Sequence, residues 1–151
     1  MISCGRPDYK ILPFEGKNVY AECEINGKFT VIIKKEDFTS GMEIVSPSEI
    51  SEIEFTFSET GDYVKSGDIT MPLDRNLLSG IYALSSLFDI KEEAMISAVS
   101  KEGKGIIEFQ NEAGAYTLIF DANGYITDAE ISGDDFDYKV KILSIKIIDK
   151  P

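Results

Sequence analysis

The sequence predicts an α+β domain, an antiparallel sheet built from two runs of strands with a pair of helices between them covering one face. Three observations carry the prediction. Apolar and polar residues alternate from residue 18 to residue 71 and again beyond residue 105. Asn-Gly pairs at 26–27 and 123–124 mark tight hairpins. Between the two runs, after Pro72, the apolar period lengthens to three and four residues. A chain of 151 residues suits one domain with a real core.

The first strand carries Val19, Ala21, Cys23 and Ile25 on one face and Tyr20, Glu22 and Glu24 on the other. Phe29, Val31 and Ile33 return after the Asn26-Gly27 turn. Cys23 shares the inward parity and is expected to be a small buried hydrophobe. Phe38-Thr39-Ser40-Gly41 reads as a turn into a third strand at 42–45, which Ser46-Pro47-Ser48 interrupts. Ile53, Phe55 and Phe57 make a fourth strand. Two short strands are expected around Ser66-Gly67.

The first helix is read from Leu77, Leu78, Ile81, Leu84, Leu87 and Phe88, with Asp74 as its N-cap. Gly80 inside it costs about 1 kcal/mol relative to alanine, and the sequence leaves open whether it serves a close approach or is fortuitous. Asp89-Ile90-Lys91-Glu92 resembles a capping box, so a second helix is expected over 90–100, ended by Gly103 and Gly105. Strands resume at 106–110, at Tyr116, Leu118 and Phe120, and at 125–131. The last strand changes parity from Tyr138, Val140 and Ile142 to Leu143, Ile145 and Ile147, which predicts a bulge. Hairpin-length links make the sheet antiparallel.

The net charge is −12, with the acidity concentrated in residues 42–137. Such a surface repels nucleic acid and anionic headgroups. Histidine is absent, which removes the commonest general base and the commonest transition-metal ligand. No G-x-S-x-G elbow and no phosphate-binding G-x-x-x-x-G-K-[ST] loop occurs. The carboxylate pairs Glu52 and Glu54, Glu92 and Glu93, and Asp134 and Asp135 lie on faces expected to be solvated. Asp121-Ala122-Asn123-Gly124 opens like a calcium loop, but Ser132 stands where the bidentate glutamate belongs. The reading is of a protein that is not an enzyme, with no catalytic residue, no metal site and no cofactor.

Ile2-Ser3-Cys4-Gly5 matches the end of a bacterial lipoprotein signal, in which the cysteine becomes the acylated first residue of the mature chain. Residues 1–16 then read as a flexible tether after the lipobox-like Cys4, and residues 17–151 as a single domain. The expectation is an extracytoplasmic lipoprotein with its signal removed, held on the cell membrane by lipid on Cys4.

From Asn18 to Ile148 the order of elements resembles the LolA/LolB-like superfamily of bacterial lipoprotein carriers and their Gram-positive relatives. The stretches that carry the likeness are "VYAECEINGKFTVIIKK", "MPLDRNLLSGIYALSS" and "AYTLIFDANGYITDAEI". The resemblance implies a curved antiparallel β-sheet with the helical pair covering its concave face. It also implies an apolar cavity between sheet and helices that binds a lipid or other apolar ligand, and it brings no catalytic residues. The lining candidates are Phe29, Val31, Phe55, Phe57, Leu77, Ile81, Leu84, Leu118 and Phe120. The sequence leaves open the alternative that these residues close into a solid core. The protein would then be a protein-interaction or envelope-structural module.

Overall fold

A computed structural model of the chain describes residues 12–148. Among them, eleven strands form one antiparallel sheet. The first run is β1 (Asn18–Ile25), β2 (Phe29–Glu36), β3 (Thr39–Ser46), β4 (Ile53–Ser58), β5 (Gly61–Ser66) and β6 (Ile69–Pro72). The second run is β7 (Met95–Lys101), β8 (Lys104–Gln110), β9 (Ala115–Phe120), β10 (Ile126–Ser132) and β11 (Asp137–Ile148). Their order across the sheet is β6-β5-β4-β3-β2-β1-β11-β10-β9-β8-β7. The first and last strands therefore pair in the middle, and β6 and β7 are the two edges. Residues 73–94 must carry the chain from one edge to the other, so they cross a face.

That crossing holds one α-helix, α1 (Ser79–Ser85), and short 3-10 turns at Leu87–Asp89 and Glu92–Ala94. α1 packs against β2, β3 and β4 on one side and β10 on the other. The sheet is not strongly curled, and the expected helical pair is absent. The first helix is shorter than its apolar stripe because residues 74–78 are spent on turns. The Asp74 carboxylate accepts from the Asn76 backbone N–H at 2.9 Å, and the Asp74 carbonyl accepts from Leu77 N–H, so Asp74 caps a turn and not α1. Gly80 does permit a close approach. A Cβ there would lie 2.5 Å from the Tyr138 hydroxyl and 3.2 Å from Phe136 Cβ.

The second expected helix is mostly strand β7. Its neighbours decide this. Glu102 and Gly103 both have positive φ, 55° and 80°, the geometry of a two-residue hairpin that returns the chain from Lys101 to Lys104. Ile96, Ser97, Val99 and Ser100 are mediocre helix formers, and pairing with β8 decides the conformation of the segment.

The parity change in the last strand is a bulge. Cys23 faces Ile142 while Glu22 faces Ser144, so Leu143 is the extra residue. The bulge brings Ile145 opposite Ala21 and Ile147 opposite Val19, which keeps apolar residues on the helix-covered face. Both Asn-Gly turns form. Asn26 also ties the first hairpin to β11, donating from its N–H to the Lys139 carbonyl and accepting from Lys139 N–H, each at 2.8 Å.

Residues 12–16, expected to belong to a tether over 1–16, pack with the domain. Leu12 and Phe14 are fully buried, and Phe14 meets Phe88 edge-on at 5.2 Å. Leu12 N–H donates to Glu92, and Glu92 N–H donates back to Glu15 at 2.8 Å. Apolar side chains at 12 and 14 thus make residues 12–16 part of the domain. Cys4 and the rest of 1–11 lie outside the described residues. No helix among the described residues is long and apolar enough to cross a membrane.

Candidate functional site

Inward-facing residues of β2 run Val31, Ile33, Lys35, so a lysine occupies a core position at the end of the strand. The register continues that row through Ser40 of β3, Phe57 of β4 and Asp62 of β5. One end of the helix-covered face is therefore polar by sequence. The crossing segment lays Arg75, Tyr82 and Phe88 over this row, and a cleft of about 370 Å³ opens between them.

Lys35 is only 8% exposed. Its ammonium donates to the Asp37 carbonyl and lies 3.9 Å from an Asp89 carboxylate oxygen. Arg75 binds Asp62 with two parallel bonds of 2.8 and 2.7 Å and also donates to the Ser58 carbonyl at 3.1 Å. Its guanidinium lies 4.5 Å from the Tyr82 ring centroid and 6.0 Å from that of Phe57. The Arg75 hydrogen bonds hold the Asp62 carboxyl below the usual carboxylate range. Burial pushes the Tyr82 phenol up, against the opposing pull of Arg75. Glu15, Glu59, Asp89, Lys91 and Glu112 complete the charged wall, and Phe38, 82% exposed, stands at the lip on the β2–β3 turn. Deeper in, Tyr116 donates to the Ala83 carbonyl at 2.6 Å and fixes α1 to β9.

This arrangement can hold polar and basic groups by hydrogen bonds and ion pairs, with aromatic surface beside them. It is not the apolar cavity expected from the sequence. Of the nine candidates, Val31, Phe55, Phe57, Leu84, Leu118 and Phe120 are buried in one core cluster, with Ile81 packed on its margin. Phe29 is 37% exposed near the Asn26-Gly27 turn, and Leu77 is 81% exposed ahead of α1. Only Phe57 lines the cleft. The sequence reading missed Lys35, Phe38, Arg75 and Tyr82. Two of them left a signal: Lys35 breaks an inward apolar series, and Arg75 is the one basic residue between Lys65 and Lys91.

The calcium-like segment serves the second hairpin. The Asp121 carboxylate accepts from Asn123 and Tyr125 N–H at 2.9 and 3.0 Å.

No family model matches the sequence, and no curated protein matches it. The structure is similar to that of an uncharacterized conserved protein from Thermus thermophilus, with 8% identity and a TM-score of 0.47 over 89% of this chain and 80% of that one. It is also similar to a LolA superfamily protein from Nitrosomonas europaea, with 10% identity and a TM-score of 0.42 over 89% of this chain and 86% of that one.

Proposed function

We propose that the protein is a non-enzymatic, extracytoplasmic lipoprotein that works as a protein-interaction module, anchored through an acylated Cys4 and recognising its partner at the charged cleft. The observation that carries this reading is the separation of apolar from accessible surface. Seven of the nine residues suited to hold a lipid are packed against one another, whereas the open cleft is walled by charge with one exposed aromatic at its lip. Aromatic side chains are enriched at protein–protein interfaces, with polar and charged groups forming the rim around them. Lys35 and Arg75 are already paired within the chain, and Glu15, Glu59 and Glu112 outnumber Lys91 in the rest of the wall, which favours a partner segment with basic character.

Lipid carriage is the second reading, and one observation favours it. α1 is too short to cover the whole inner face. Ile69 and Met71 on β6 share register rows with Ile53 and Phe55 and remain 63% and 53% exposed. Titration with a fluorescent fatty acid separates the two readings. The interaction module predicts no saturable binding. Saturable binding that is lost in Met71→Asp would establish lipid carriage in its place.

A further inference from the structure

The two edges of the sheet are unequal. β6 has four residues and ends in Pro72, which cannot extend a ladder. β7 has seven residues, no proline and a single charge, Lys101. Among the described residues it pairs with β8 alone, and Ile96 and Val99 are 62% and 55% exposed. An edge of this kind is a template for another strand.

We infer that the occupant is β7 of a second copy of this chain, paired antiparallel about Val99. Three features of the strand select a second copy. The first is hydrogen-bond parity. The two-residue turn at Glu102-Gly103 makes Lys101 and Lys104 a bonded pair, so residues 97, 99 and 101 bond toward β8. Ala98 and Ser100 then point their N–H and C=O outward. Pairing about Val99 sets Ala98 of each copy against Ser100 of the other, and all four outward bonds close.

The second is the apolar row. The register aligns Val99 with Ile106 and Ile106 with Ile119, and the latter two are half-buried. This row runs to the open edge and stops. Pairing about Val99 continues it through the two valines as a non-hydrogen-bonded pair, where side chains approach most closely.

The third is charge. Lys101 falls opposite Ser97 of the other copy, whose hydroxyl donates to Glu108 at 2.8 Å. The lysine is long enough to pass the serine and reach that glutamate, and no like charges are opposed. The bulge between Met95 and Ser97 confines regular pairing to residues 97–101. So short a ladder buries less than a standard interface, and the dimer is reversible.

Sedimentation velocity over a range of concentrations tests this, using the full chain with Cys4→Ala so that neither lipid nor a Cys4 disulfide links copies. The expected result is a shift from monomer to dimer with concentration. Val99→Lys and Val99→Glu should each weaken association about tenfold or more by opposing like charges. An equimolar mixture of the two variants should associate again. Unchanged circular dichroism shows that each is folded. A chain that stays monomeric at every concentration, or a Val99→Lys variant that dimerises like the parent, overturns the inference. The first result would hold if the edge serves a different protein, the second if copies meet on another surface.

Discussion

Two side chains carry the residue-scale chemistry. Burial pushes the Cys23 thiol up to about 12, so the reactive thiolate is scarce at neutral pH. In a Cys4→Ala background, Cys23 should label with iodoacetamide at pH 8 only as fast as the domain opens, and addition of urea should accelerate it by orders of magnitude. Rapid labelling of the native protein contradicts the burial. Asp62 is the second case. Its folded pKa lies below the unfolded value, so its ion pair contributes stability above the ordinary carboxylate range, and that contribution is lost as pH falls through the depressed value. Asp62→Asn should cost about 1–2 kcal/mol at neutral pH, discounted for the partly exposed Arg75 guanidinium. Urea unfolding of parent and variant should converge at strongly acidic pH. A gap independent of pH would show that the pair contributes nothing electrostatic.

Among the elements, hairpins were legible and the crossing segment was not. Alternation and turn chemistry are local, so Val19 to Ile33 and Tyr116 to Ile131 could be read residue by residue, and the parity change at Leu143 located a bulge. The misread second helix shows the limit. Ile90, Ala94, Ile96 and Val99 have helical spacing by coincidence, while Glu102-Gly103 and the waiting edge of β8 impose strand. Leu12 and Phe14 were lost for a related reason: Pro13 and Gly16 look like linker, and only tertiary contact shows that the apolar residues beside them belong inside. Phe14→Ala should therefore cost about 3–5 kcal/mol in urea unfolding, the range for a buried phenylalanine. A change within about 0.5 kcal/mol, as for a solvated tether, would refute its place in the core.

At the scale of the whole molecule, the sequence named most of the interior but not its state. Val31, Phe55, Phe57, Leu84, Leu118 and Phe120 could be picked out as inward-facing from periodicity alone, yet periodicity cannot tell a packed side chain from one that faces a void. Nor does it reveal the cleft, which depends on the crossing segment laying Arg75 and Tyr82 over a row that begins at Lys35. A closed space between α1 and the sheet would leave the polar cleft as the site of recognition. Leu84 is buried on α1 as part of the core cluster. Equilibrium urea unfolding of Leu84→Ala, with the slope of the transition unchanged, tests that closure most directly. A closed core predicts a loss of about 2–5 kcal/mol, the range for deleting a fully packed leucine. A loss well under about 1 kcal/mol, accompanied by altered affinity for a fluorescent fatty acid, would show that the side chain already borders a ligand cavity, and would contradict closure.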